Sequence, residues 1–214
     1  MNSITPDARL DIAQLIYQTH MSKVHHLWLH SSDSQACITL IAEGISEDNI
    51  LLVTRQGKLV GVTLIEAQDF PHALDFTFRF FTRYFGVFSS FRKWLAFICY
   101  KRVEIKLTPE TFHIEALDVS PEFRGQGIDS QMVRDASQLA GELGKTQLVV
   151  ELPERYQKML DFYHQLGFIT RSKEKVKWPI LRRFARRADA SSYYVLEKDL
   201  LKDDPVCRSA GSSS

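Results

Sequence analysis

Residues 117–130 read Leu-Asp-Val-Ser-Pro-Glu-Phe-Arg-Gly-Gln-Gly-Ile-Asp-Ser. An apolar strand ends at Val119, a turn containing Pro121 follows, and a Gly-rich stretch opens into a segment with helical periodicity. A strand–loop–helix of this kind gathers backbone N–H groups at the positive end of a helix, where phosphate oxygens bind well. Gly125 and Gly127 lack the Cβ that would hold an anion away from the backbone. Arg124 adds a fixed positive charge at the loop mouth.

Two common phosphate loops do not fit. A P-loop needs Lys directly after its last Gly, and none follows Gly127. A dinucleotide loop needs its first Gly right after the strand and a third Gly where Ser130 stands. The segment instead resembles the acyl-CoA loop of the Gcn5-related N-acetyltransferases, Val-x-Pro-x-x-Arg-Gly-x-Gly-x-Gly/Ala. Val119, Pro121, Arg124, Gly125 and Gly127 match in order, with Gln126 and Ile128 at the variable positions. The last position departs, carrying Asp129 in place of Gly or Ala.

The flanking elements follow the same family order. Thr5-Pro6-Asp7 starts a helix, and a second helix covers Ser34 to Ala42, ending near Gly44. Ile50–Arg55 and Lys58–Ile65 read as strands of a hairpin turning at Gln56-Gly57. Residues 111–119 form a strand, and Ile128, Met132, Val133, Ala136, Leu139, Ala140 and Leu143 mark a helix stopping at Gly144. Gln147–Leu152 is a buried strand, Arg155–Leu166 a helix, and Phe168–Thr170 and Ser191–Leu196 closing strands. The expectation is a single-domain α/β fold over residues 1–204, a mixed, mostly antiparallel sheet flanked by helices, with a disordered tail at 205–214. The family's opening strand is hardly visible.

Between the family's third and fourth strands lies a helical insert, residues 69–110, rich in aromatics. It holds nine of the fourteen phenylalanines, and Phe81, Phe85, Phe88 and Phe91 recur at helical spacing. Helices packed on the core, a lid over an acceptor pocket, a homodimer interface and a membrane-surface contact all suit this composition.

The resemblance implies acetyl-CoA as acyl donor and an acyl transfer to a primary amine in a ternary complex. It implies cofactor contacts from Leu117, Asp118 and Val119 on the strand, and from Arg124, Gly125, Gln126, Gly127, Ile128 and Asp129 in the loop. Asp161–Phe168 resembles the family's second signature, Phe-Tyr-x-x-x-Gly-Phe, with Tyr163 in the general-acid position. Packing alone would equally place Tyr163 on its helix face. Tyr156 replaces the Asn that family members often direct at the cofactor. The amine must lose a proton, and Glu115 and His113, two residues apart on one strand face, are the candidate bases; Glu115 also reads as an exposed salt-bridging residue. Asp129 and Tyr156 favour the alternative of a catalytically silent acyl-CoA-binding or regulatory module.

The remaining composition narrows the partners. A net charge of +1 exerts no global pull toward nucleic acid or an acidic membrane; the family resemblance implies a small-molecule or peptide amine as substrate. Cys37, Cys99 and Cys207 form no CxxC pair and read as reduced thiols of a cytoplasmic protein without a signal peptide. His20, His25, His26 and His30 cluster without a Cys pair or His-Glu-x-x-His pattern, so no metal site is expected. The basic run from Arg171 to Arg187 reads as a solvated segment, as a contact for an anionic surface or nucleic acid, or as a seat for an acidic acceptor or the cofactor's 3′-phosphate.

Overall fold

A computed structural model describes residues 4–25, 29, 31–70, 73–74, 76–101, 107–175 and 191–202. Helix α1 (Pro6–Lys23) begins as expected, with the Thr5 hydroxyl accepting from the Ala8 N–H at 3.3 Å. Helix α2 (Ser34–Gly44) is capped by Asp33, which accepts from the Ala36 N–H at 3.0 Å. Strands β1 (Ile50–Arg55) and β2 (Lys58–Ala67) form the hairpin. Gln56 and Gly57 both have positive φ, 51° and 77°, as a twist-matched two-residue turn requires.

Helices α3 (Phe78–Phe85) and α4 (Val87–Lys101) lie in the insert, which joins β2 to β3 (Thr111–Val119). Then come α5 (Ile128–Glu142), β4 (Gln147–Pro153), α6 (Gln157–Gln165), β5 (Ile169–Lys175) and β6 (Ser192–Asp199). Helix α6 starts two residues later than Arg155 because Tyr156, at φ −93° and ψ 59°, is not helical. The closing strands run longer than expected, since the polar residues of β5 pair along β6 as a sheet edge.

The six strands lie in the order β1-β2-β3-β4-β6-β5. Only β3 and β4 are parallel; every other neighbouring pair is antiparallel. Helices α1 to α4 pack against one face, around Ile16, Leu40, Ile41, Val62, Leu64, Phe81 and Phe97. On the other face, α5 and α6 bury Val133, Ala136, Ala140 and Tyr163 against Phe112, Ile114, Leu148 and Val150.

The insert is not one continuous aromatic stripe. Gly86, at φ 67°, ends α3, and the sequence turns into a second helix. Phe81 is buried, Phe85 half-buried, and Phe88 and Phe91 exposed, so the regular spacing of these four crosses a helix boundary. The tail from residue 203, residues 176–190, which hold most of the basic run, and His26 and His30 lie outside the described residues.

Candidate active site

Strand β3 carries one residue too many for its partner β2. Leu64 stands opposite Ala116 and Ile65 opposite Ile114, leaving Glu115 as the extra residue of a β-bulge. The bulge switches the strand's inward face. Phe112 and Ile114 belong to the core under α5 and α6, whereas Ala116 belongs to the core under α1 and α2. Past this point β3 also parts from β4. Their pairing stops at Ile114–Val150, although β3 continues to Val119 and β4 to Pro153.

A cleft of about 600 Å³ occupies the opening between the two strands. Its walls include Glu115, Leu117 and Val119 from β3, Glu151 from β4, and His20 from α1. Arg124 and Asp129 close it at the loop, and Arg155, Tyr156 and Tyr163 close it at α6.

The loop itself is shaped for an anion. Gly125 and Gly127 take φ of 72° and 74°, and a Cβ at either would meet nothing within 4 Å. The glycines are therefore required by backbone conformation, and the space above them is open. Gly127 is the N-cap of α5 and supplies no side-chain cap to the first helical N–H groups. The Arg124 Nε–H donates to the Val119 carbonyl at 3.2 Å, which fixes the guanidinium at the mouth. Gln126 turns aside, donating to the Glu122 carbonyl and accepting from Arg55 at 3.2 Å. Ile128 is buried with Val60, Val119 and Met132, so only its backbone is available to a ligand.

Asp129 does not turn away from this space. It lines the cleft, and its Oδ1 accepts from the Ser130 N–H at 2.9 Å. One of the amides of the helix start is thus already engaged by a carboxylate, a favourable arrangement with the helix dipole.

Tyr163 is buried between Phe162 and Phe168, with ring centroids 5.1 and 5.2 Å away, and borders the cleft. Burial raises its pKa above the usual phenol range, and the negative charges of Asp118 and Asp129 raise it further. The Tyr156 ring lies under the Arg155 guanidinium, 4.5 Å from the centroid, and Arg155 also bonds its hydroxyl. Tyr156 thus orients a cation at the rim where the family often has Asn.

The two candidate bases separate. Glu115 reaches the cleft, while His113 is sealed beneath it, its Nδ1 3.5 Å from Glu66 Oε2. Ligand atoms of Glu66, His113 and Glu115 lie within 4.8 Å of one another. Burial pulls the His113 pKa down, but Glu66, Glu115 and Glu151 together outweigh it and leave the pKa raised. His113 is thus buried among carboxylates, outside the cleft that Glu115 lines.

Asp118 is implied by the resemblance as a cofactor contact. Its side chain is fully buried on the α1 side, 2.9 Å from His20 Nε2, and does not line the cleft. His20 does line it. Along the sequence His20 is only one of four N-terminal histidines. No local signal could have paired it with Asp118, because the two meet only when α1 packs across β3.

A family model described as the acetyltransferase (GNAT) family matches residues 13–168, and the chain belongs to that family. Solved structures share the fold. An acetyltransferase is 16% identical, with a TM-score of 0.60, covering 93% of this chain and 98% of its own. The N-acetyltransferase from Staphylococcus aureus Mu50 is 14% identical, with a TM-score of 0.60, covering 91% and 97%. The ribosomal-protein-S18-alanine N-acetyltransferase from Escherichia coli is 9% identical, with a TM-score of 0.50, covering 93% and 92%. No curated protein matches the chain.

Proposed function

We propose that the protein transfers an acetyl group from acetyl-CoA to a primary amine by direct attack within the cleft between β3 and β4. The observation that carries this reading is the coincidence of two openings. The strands part after Ile114 and Val150, and the uncapped, Cβ-free start of α5 adjoins the same cleft.

The N–H groups of residues 124–129 and the Arg124 guanidinium hold the pyrophosphate of the donor, each charge-assisted bond contributing roughly 1.5–3 kcal/mol. Backbone groups of Leu117 and Val119, freed by the splay, hold the pantetheine arm and polarise the thioester carbonyl. Asp129 engages the neighbouring Ser130 N–H rather than one of these amides, and the cost of its charge beside the phosphates is modest.

An amine of pKa near 10.4 is well under about 0.1% neutral at pH 7, so a proton must be taken up before attack. Glu115 is the base in this reading, with Glu151 across the strand gap helping to draw a cationic amine inward. A second reading is favoured by the 2.9 Å contact of His20 with Asp118, which would make the His20 ring the proton acceptor. Tyr163 faces the departing sulfur. Its raised pKa keeps it protonated, and transfer to a thiolate with a pKa near 8.5 would be uphill. Its contribution is a hydrogen bond to the developing thiolate.

Calorimetric titration with acetyl-CoA, with ATP and NAD as controls, tests the donor site. Micromolar binding of acetyl-CoA alone supports it, and release of CoA thiol on adding amines identifies turnover. Binding without thiol release from any amine leaves the fold as a silent acyl-CoA module.

A further inference from the structure

We propose that the α3–α4 insert seats this protein on an anionic membrane surface. Helix α4 has two sides. Ser90, Lys93 and Phe97 are buried toward the core that α3 shares with α1 and α2. On the other side Val87, Phe88, Phe91 and Leu95 are exposed, Phe88 at 97% and Phe91 at 57%. At about 100° per residue these four fall within an arc of about 100° on the helix. Scattered exposed apolar residues are ordinary, but a continuous stripe holding two phenylalanines is a contact surface.

Charge selects the occupant. From residue 76 to residue 103 the chain has no Asp or Glu, and it carries Arg79, Arg83, Arg92, Lys93, Lys101 and Arg102. Arg79 on α3 and Arg92 on α4 are both exposed, Arg92 on the flank of α4 next to the apolar stripe. Arg83 is 72% exposed and shares its charge with Glu43 at 3.5 Å. A helix with aromatic residues on one flank and arginines on the next, without acids, matches the interface of an anionic bilayer. A second copy of the chain fits less well, since a two-fold contact sets a patch against itself and brings these arginines together. Helix α4 spans about 22 Å, too short to cross a bilayer, so it lies in the plane of the headgroups. No described helix is long and apolar enough to cross a membrane.

The test is co-sedimentation of the full chain with vesicles of phosphatidylcholine alone and of phosphatidylcholine mixed with phosphatidylglycerol. The expected result is binding to the mixed vesicles only, weakening as salt is raised. Joint Phe88→Ala and Phe91→Ala substitution weakens it by about tenfold or more. Joint Arg79→Gln and Arg92→Gln substitution weakens it roughly thirtyfold, at about 1 kcal/mol per arginine. The replaced phenylalanines are exposed, so the fold and acetyl-CoA affinity should be unchanged; if the aromatic variant fails to fold, the arginine variant carries the test. Equal binding to both vesicle types, or no binding to either, overturns the proposal. So does a concentration-dependent dimer abolished by the phenylalanine substitutions, or binding to a DNA oligonucleotide without binding to vesicles.

Discussion

His20 Nε2 and Asp118 Oδ1 lie 2.9 Å apart, joining α1 to β3 through a carboxylate that has no exposure to solvent. Among the described residues neither oxygen of Asp118 receives a well-aligned hydrogen bond, and the His20 ring is the polar group set against its Oδ1. The backbone of α1 bends at this point, His20 having φ −108° and ψ 21° inside the helix. The distortion places the ring between the buried carboxylate and the cleft. If this pair takes the amine proton, His20→Ala and Asp118→Asn both lower kcat by about a hundredfold while acetyl-CoA affinity stays the same. If Glu115 is the base, the loss follows Glu115→Gln instead, and the pH–rate profiles of the three variants separate the two cases.

Tyr163→Phe should reduce kcat by roughly tenfold to a hundredfold without weakening acetyl-CoA binding. The ring packs edge-on against Phe162 and Phe168, contacts that phenylalanine preserves, so stability should change by less than about 1 kcal/mol. Calorimetry and steady-state kinetics on the same preparation check both halves of the prediction. Unchanged turnover would reduce Tyr163 to a packing residue.

Asp129 occupies one amide of the α5 start, and removing its carboxylate frees that donor and relieves repulsion of the pyrophosphate. Asp129→Gly is expected to bind acetyl-CoA two- to tenfold tighter, a difference of about 0.4–1.4 kcal/mol. Direct titration reads it. A hundredfold gain would mean that the native loop is poorly suited to the cofactor.

Stability should fall as pH rises through the folded pKa of His113. That pKa is raised from 6.5, burial opposing and Glu66, Glu115 and Glu151 prevailing. A raised folded pKa gives stability that is complete below the unfolded pKa near 6.5 and lost as pH climbs past the folded value. Urea midpoints measured from pH 5 to pH 9 should therefore decline above about 6.5. The decline should be shallower in His113→Gln.

Gly44 closes α2 against the insert, and a Cβ there would come within 2.3 Å of the Phe76 ring. That ring is held among Phe80, Phe81 and Phe97 and has little room to yield. Gly44→Ala should cost about 1–3 kcal/mol in urea unfolding. Adding Phe76→Leu should recover part of that loss, the non-additivity expected of touching residues.

The sequence alone determined the family, the hairpin, the glycine loop and the order of strands and helices, because each is written in local signals. Gln56-Gly57 demands its turn, Gly125 and Gly127 demand positive φ, and the apolar positions of α5 recur at the helical period. Tertiary structure alone decided which side chains share the cleft. The bulge at Glu115 leaves no mark in the strand's own residues, yet it sets Ala116 and Asp118 toward α1 and opens the gap from β4. His20, Glu151 and Arg155 come from separate elements, so no spacing along the chain could have joined them to the loop. Burial likewise separated His113 from Glu115, two residues that alternation on a strand had made equivalent. Depth beneath the sheet surface and the register of neighbouring strands are properties of the packed chain.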